Sequence, residues 1–280
     1  MLEVSDAVAQ TDTVLSDREM LQIVRLVYEK SGISLHAGKK PLVVARLQKR
    51  LAALSLDSYG DYLKYVAGDE SGEEAVALLD AIATNHTYFY REEQHFELLA
   101  NRVVPELGRG RAPLDIWCAA ASTGEEAYTI AMTLAELQPP VDFTLMASDI
   151  STRALKAAHA GIYKMEGVAV LPPDTLRTYF EKGLGESAGL VRVRKALRDR
   201  VEYRHLNLLD IDNLDRKFDV IFCRNVMIYF DRAVQQRVVT MLERHLRPGG
   251  YLFVSHSESL NGIAHGLRWV APAAYQAETV

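Results

Sequence analysis

The 280-residue chain reads as α/β, with a small N-terminal all-helical domain preceding a Rossmann-like, doubly wound α/β domain that carries a small antiparallel β-subdomain. Three observations predict this. The first hundred residues carry apolar residues at helical spacing; from Leu114 onward, short β-rich apolar runs alternate with helical patterns; and Pro, Gly and Arg interrupt the chain near Pro105–Pro113.

In the first half, Ser16-Asp17-Arg18-Glu19 is a capping box, and Met20, Ile23, Val24 and Val27 continue it as a helical stripe that Gly32 can end. Pro41 suits a first turn, and Val44, Leu47, Leu51 and Leu54 form the next stripe. Arg46, Lys49 and Arg50 fall mainly off that stripe and are expected to be exposed. Further helices are expected at Tyr59–Val66 and Glu73–Thr84. In the second half, strands are expected at Leu114–Ala119, Phe143–Ser148, Val201–Leu206, Phe218–Cys223 and Tyr251–Ser255. Helices Glu125–Leu137, Thr152–Ala160 and Ala233–Leu246 separate most of them, and apolar strands alternating with helices imply a parallel sheet covered on both faces. Arg247-Pro248-Gly249-Gly250 reads as a stop and turn before the last strand. The expected division is a docking domain over 1–90, a linker helix over 91–112 and a cofactor domain over 113–280, with the β-subdomain near 183–200.

The bulk numbers exclude several classes of function. The longest apolar runs are far short of the ~20 residues that span a bilayer. The first fifteen residues lack a basic n-region, so no signal peptide is expected. Cys118 and Cys223 are too few for a disulfide framework, no Cys/His cluster has zinc spacing, and no metal is expected. The histidines show no pair with ligand spacing and read as structural or exposed. A net charge of −5 argues against a nucleic-acid binder, and the chain reads as cytosolic. Charge is uneven, however: no acid occurs between Lys30 and Leu56, a stretch that holds Lys39, Lys40, Arg46, Lys49 and Arg50. It is either a solvated helix face or a docking surface for an acidic partner.

Ligands of open parallel sheets bind at the carboxyl ends of the strands. The first strand runs into Ala119-Ala120-Ala121-Ser122-Thr123-Gly124, whose lone glycine differs from the Gly-x-Gly-x-x-Gly of dinucleotide sites. Glu125 and Glu126 then place two negative charges on the first helical turn, repelling a diphosphate and attracting an ammonium; alternatively they are ordinary acids favoured by the helix dipole. Asp149 ends the second strand, where an acid can accept both hydroxyls of a ribose; it could also cap the next helix, a task Ser151 could perform instead. Asn207 closes the third strand and Arg224-Asn225 the fourth. Polar residues at four strand ends fit a nucleoside with an amino-acid tail better than a dinucleotide.

The segments Trp117–Glu126, Phe222-Cys223-Arg224-Asn225-Val226-Met227-Ile228-Tyr229-Phe230, Thr84-Asn85-His86-Thr87-Tyr88-Phe89-Tyr90-Arg91, Asn207-Leu208-Leu209-Asp210 and Arg247–Leu252 occur in the order, and with much of the wording, of the CheR family. The chain resembles these chemotaxis receptor glutamate O-methyltransferases over nearly its whole length. Cys118 departs from the small hydroxylated residues common there, and Ala127 from a frequent proline. The resemblance implies a class I methyltransferase domain with S-adenosylmethionine as methyl donor, S-adenosylhomocysteine as product, and chemoreceptor glutamates as acceptors. It implies that Asn85, Thr87 and Arg91 contact the cofactor and that Glu126 holds its ammonium, with Glu125 as second choice. Asp149 would hold the ribose, while Asn207, Leu208, Arg224 and Asn225 would line the adenine and methionine sides. Tyr229 would face the methyl group, and Arg91 and Tyr229 would carry the catalytic roles.

A glutamate carboxylate, with an unperturbed pKa near ~4.3, is already a nucleophile at neutral pH. Displacement at a sulfonium methyl therefore needs in-line positioning and no general base. Arg91 can grip a carboxylate bidentately and Tyr229 can donate its hydroxyl. The resemblance also turns the basic stretch toward docking. Arg46, Lys49 and Arg50 would meet the acidic, helical methylation region of a cytoplasmic receptor, recruiting a monomeric enzyme to receptor arrays. Three glycines over Gly183–Gly189 followed by Val191-Arg192-Val193-Arg194 predict the antiparallel subdomain, which in some members grips a receptor C-terminal peptide. The weighed rivals are a small-molecule methyltransferase, to which a basic docking domain would be superfluous, a non-catalytic module that binds the cofactor and signals, and an NAD-dependent oxidoreductase, disfavoured by the lone Gly124.

Overall fold

A computed structural model describes residues 14–108 and 113–279. The chain divides into two compact units, Met1–Lys30 with Ser34–Ile82, and Ser31–Ile33 with Ala83–Val280. The boundary thus falls after Ile82. The residues expected as the end of the docking domain, 83–90, and as the linker, 91–108, belong to the second unit, while 109–112 and the N-terminal stretch read for a signal lie outside the described residues.

Among its described residues the first unit holds four α-helices: α1 (Asp17–Ser31), α2 (Lys40–Leu54), α3 (Tyr59–Gly68) and α4 (Glu73–Ile82). The capping box forms as expected. The Glu19 amide donates to Ser16 Oγ at 3.2 Å and the Ser16 amide to Glu19 Oε2 at 2.8 Å. Val43, Leu47 and Leu51 are the buried line of α2, joined by Ile23, Val27, Tyr59, Tyr62 and Leu78. The basic residues divide. Lys49 is exposed. Arg50 Nε donates to Glu74 Oε1 at 2.7 Å, and Glu74 is only 4% exposed. Arg46 donates to the Ile82 carbonyl at the end of α4. Arg46 and Arg50 are therefore half-buried and hold α4 against α2; the expectation that all three face solvent is corrected. The cause is Glu74, an acid the α4 pattern buries and that then needs a cation.

The second unit is built on a seven-stranded sheet in the order β6-β2-β1-β7-β8-β10-β9. Its strands are β1 (Leu114–Ala119), β2 (Phe143–Asp149), β6 (Val201–His205), β7 (Phe218–Cys223), β8 (Leu246–Phe253), β9 (Arg268–Ala271) and β10 (Ala274–Gln276). The first five pair in parallel, while β10 runs antiparallel to β8 and β9. The helices in chain order are α5 (Gln94–Leu98), a π-helical turn Leu99–Val103, α6 (Val104–Leu107), α7 (Glu125–Ala135), α8 (Thr152–Ala160), the short α9 (Met165–Val168), α10 (Pro173–Tyr179), α11 (Lys195–Arg198), and α12 (Arg232–Arg244). Alternate residues of β1 serve opposite faces. Ile116 and Cys118 join a core with Phe96, Leu99, Tyr128 and Ile130, whereas Trp117 and Ala119 join Val238, Val239 and Leu242 of α12.

Two expectations shift. Arg247-Pro248-Gly249-Gly250 runs inside β8 rather than ahead of it, with Gly249 at φ +76° and a register break opposite Phe218/Val220. The subdomain is a three-stranded antiparallel sheet, β3 (Ile162–Lys164), β5 (Leu190–Val193) and β4 (Phe180–Lys182), in the order β3-β5-β4. It begins upstream of the expected 183–200, and residues 195–198 are helical. Its outer strands are three residues each, too short to announce a period of two.

Candidate active site

The sheet reverses its winding between β1 and β7, so the loops after these strands diverge and leave a crevice at their carboxyl ends. After β1 the amides of Ala120 and Ala121 donate to the Ser148 carbonyl at 2.9 and 2.8 Å, folding the loop over the end of β2. Ala120, Ser122 and Gly124 all take left-handed φ, at +72°, +51° and +97°. A Cβ at Gly124 would lie 2.8 Å from that of Ala158 on α8, which is why glycine stands there.

Asp149 is buried, and its oxygens accept the amides of Ser122 and Ser151, both at 2.8 Å. The cap of α8 is the Ser151 hydroxyl, which accepts the Ala154 amide at 3.1 Å. Asn85 Nδ2 donates to Ser151 Oγ at 3.2 Å, bringing the segment before α5 to the end of β2. Thr87 follows, half-buried. Arg91 Nη1 donates to the His86 carbonyl at 3.0 Å, and its guanidinium sits 5.7 Å from the Tyr88 ring centroid. Phe89 and Phe96, like Tyr90, pack inside the second unit, Phe89 edge-on to Tyr163 and Phe180.

Arg224, its side chain 0% exposed, stands between two carboxylates. Nη1 is 2.7 Å from Glu126 Oε2 and Nη2 is 3.1 Å from Glu92 Oε2. Nη2 also donates to the Arg91 carbonyl at 2.5 Å. The Cys118 thiol donates to Glu126 Oε1 at 3.3 Å; burial pushes that thiol well above its ordinary pKa, keeping it a donor. At Glu125, burial raises the carboxyl, and the Thr123 hydroxyl donates to it at 2.6 Å. Asn225, at φ +57°, donates through Nδ2 to Ser255 Oγ at 2.6 Å. At the end of β6, Asn207 Oδ1 accepts the Leu209 amide at 3.0 Å and Leu208 is buried. Tyr229 is half-buried at the end of the 3-10 turn Met227–Tyr229.

The sequence reading missed the loop after β8. Glu258 is buried, and its carboxylate accepts the amides of Ser255 at 2.8 Å, Asn225 at 2.9 Å and Ile228 at 3.3 Å. Burial pushes its carboxyl up, against the pull of those amides. The available signal was Ser255-His256-Ser257-Glu258, polar residues just past a fifth strand end. Glu92 was missed as well. Burial alone would raise its carboxyl, but the Ser255 hydroxyl, the Arg224 guanidinium and the His256 amide draw it down to about 2. His95 and His256, read as unconnected, lie together beside Glu92, with donor atoms within 4.8 Å. Their rings stack at 4.6 Å with planes 4° apart, which puts their lone pairs in two separate parallel planes, and Arg224 already pairs with the Glu92 carboxylate. Burial, then Arg224, lowers the His95 pKa to about 4.

Two acids suit a nucleoside bearing a cationic tail: Asp149 at the end of β2, and Glu126 at the start of α7 beside β1. Five parallel strands with an antiparallel pair at one edge, and acids in place of a glycine-rich phosphate loop, define a class I methyltransferase domain. The SAM binding domain of CheR methyltransferases matches residues 85–274, and the all-alpha domain of CheR methyltransferases matches residues 18–83. A chemotaxis protein methyltransferase of Salmonella typhimurium is 42% identical over 252 residues, covering 89% of this chain and 86% of its own. Chemotaxis protein methyltransferase 2 of Pseudomonas aeruginosa is 43% identical over 264 residues, covering 92% of each chain. The chain belongs to the CheR methyltransferase family.

Proposed function

We propose that the protein transfers a methyl group from S-adenosylmethionine to glutamate side chains of chemoreceptors, forming methyl esters. The observation that carries this reading is the joint placement of Asp149, Glu126 and Arg224–Asn225 at the carboxyl ends of β2, β1 and β7, in a chain matching CheR domains from residue 18 to 274. Bound S-adenosylmethionine supplies a sulfonium methyl group. Asp149, at the end of β2, takes the ribose hydroxyls. Glu126, held by Arg224 and Cys118, faces the ammonium. Asn85 and Thr87 close the ribose side, and Asn207 with Leu208 the adenine side. The acceptor carboxylate arrives ionised, so the chain has to align and desolvate it rather than deprotonate it. Arg91 is the cation for that carboxylate and Tyr229 the hydroxyl donor beside it.

In the first unit the receptor-docking role rests on Lys49, which faces solvent; Arg46 and Arg50 extend the same basic face while serving α4. The β-subdomain is the proposed grip for a receptor C-terminal peptide, which would join a short edge strand of the antiparallel sheet. Ile162 and Leu184, 47% and 86% exposed, offer apolar contacts beside those edges. No helix among the described residues is long and apolar enough to cross a membrane, in keeping with an enzyme that visits receptors from solution. Isothermal titration with S-adenosylmethionine and with S-adenosylhomocysteine tests the cofactor reading: micromolar binding of both is expected, and folded protein that binds neither contradicts it.

A further inference from the structure

Glu92 has no role in the function proposed above, yet the chain strains to place it. Tyr90 and Glu92 both take left-handed φ, at +55° and +57°, within three residues and without a glycine. Such conformations persist where surrounding contacts over-determine them. The contacts here are specific: Glu92 Oε1 accepts the Ser255 hydroxyl at 2.7 Å, and Oε2 accepts the His256 amide at 3.1 Å and faces Arg224 Nη2 at 3.1 Å. Ser255 in turn accepts Asn225 Nδ2 at 2.6 Å. One guanidinium, fully buried, is thus shared between Glu92 and Glu126.

The charge count decides what that sharing does. Arg224 with Glu126 alone is a neutral pair, with little electrostatic reason to bind a cation. With Glu92 present, and ionised because its pKa sits far below neutrality, the trio carries one net negative charge in a place where solvent screens weakly. We propose that Glu92 is a positioning residue for the methyl donor: by neutralising Arg224 it leaves the Glu126 carboxylate effectively charged for the donor's ammonium, and through Ser255 it fixes the Asn225 side chain. This rests on the reading of Glu126 as the ammonium holder.

The test separates charge from structure by using two ligands that share the nucleoside and differ in the tail. S-adenosylhomocysteine carries the ammonium; 5′-methylthioadenosine lacks the amino-acid group. Full-length Glu92→Gln keeps a carbonyl oxygen to accept from Ser255 or His256 and loses the charge. Calorimetry should show affinity for S-adenosylhomocysteine falling about tenfold, equivalent to about 1.4 kcal/mol, with 5′-methylthioadenosine unchanged. Glu92→Asp should recover part of the loss. Equal weakening of both ligands would mean that Glu92 only supports the fold, and unchanged binding of both would remove it from the site; either overturns the proposal. Glu126→Gln is the companion variant. If it leaves the affinity for S-adenosylhomocysteine intact, the assignment of Glu126 itself fails, and the role of Glu92 falls with it.

Discussion

At the residue scale, the account assigns separate tasks to groups a few ångströms apart. Arg91→Ala should lower kcat/KM for receptor methylation by about 30- to 150-fold, the worth of one charge-assisted interaction at about 2–3 kcal/mol. Steady-state kinetics on receptor membranes would read it; unchanged turnover and unchanged cofactor affinity would remove Arg91 from both roles. Glu258→Gln turns an amide donor toward backbone N–H groups that now meet a carboxylate. It should cost about 1–3 kcal/mol of stability and weaken cofactor binding, measured by urea unfolding and titration. His95 gives a pH signature. Its folded pKa of about 4 lies below its ordinary 6.5, so the unfolded chain binds more protons between these values. Stability is then complete above about pH 6.5 and falls as pH drops toward 4, by up to about 2 kcal/mol between pH 7 and 5. The downward-shifted carboxyl of Glu92 adds its loss only below its ordinary 4.5, leaving the upper window to His95. Urea midpoints at pH 7 and 5 should converge in His95→Leu relative to the parent.

What was legible at this scale follows from position along the chain. Asp149 and Arg224–Asn225 stand out in the sequence because each comes at the end of an apolar strand, whereas Asn207 follows the largely polar Val201–His205. Glu92 and His95 do not stand out, because they precede the sheet and meet Arg224, Ser255 and His256 only through pairings more than 130 residues apart, such as Arg224 with the Arg91 carbonyl. Glu258 was within reach of the same strand-end reasoning.

Among elements, helix α2 shows where pattern reading stops. The apolar spacing put Leu47 and Leu51 on its buried side but took Val44 for Val43, and it could not tell which basic residues face solvent, since that depends on Glu74 of a different helix. The two classes should part on charge reversal. Lys49→Glu should slow receptor methylation while leaving S-adenosylmethionine affinity unchanged. Arg50→Glu should destabilise the first unit by about 2–4 kcal/mol, because it leaves a buried carboxylate facing another; thermal melting with methylation assays distinguishes them. The loop between β1 and α7 makes a second element-scale prediction. Gly124→Ala forces a Cβ to 2.8 Å from Ala158 at φ +97° and should both lower stability and weaken cofactor binding. Strand β8 was misjudged because Pro248 and the glycines read as a turn, whereas a register break beside β7 accommodates them within the strand.

For the whole molecule, the alternation of strands and helices made the doubly wound sheet legible, because a parallel strand buried on both faces must be apolar throughout. The division between units was less so. The Pro- and Gly-rich stretch near residue 108 suggested a boundary, but the segment 83–108 carries Phe89, Phe96 and Leu99 into the core of the second unit and so belongs to it. The first unit carries the basic stretch around Lys49, and the second carries Asp149, Glu126 and Arg224 around the ends of its parallel strands. The central claim is that the methyl group ends on a carboxylate, and the direct measurement is transfer of radiolabelled methyl from S-adenosylmethionine to chemoreceptor-containing membranes, followed by mild alkali. The account predicts label on the receptor that alkali releases as volatile methanol, as esters do and methylated amines do not. Label that survives alkali, or no receptor label from protein that binds the donor, would contradict it.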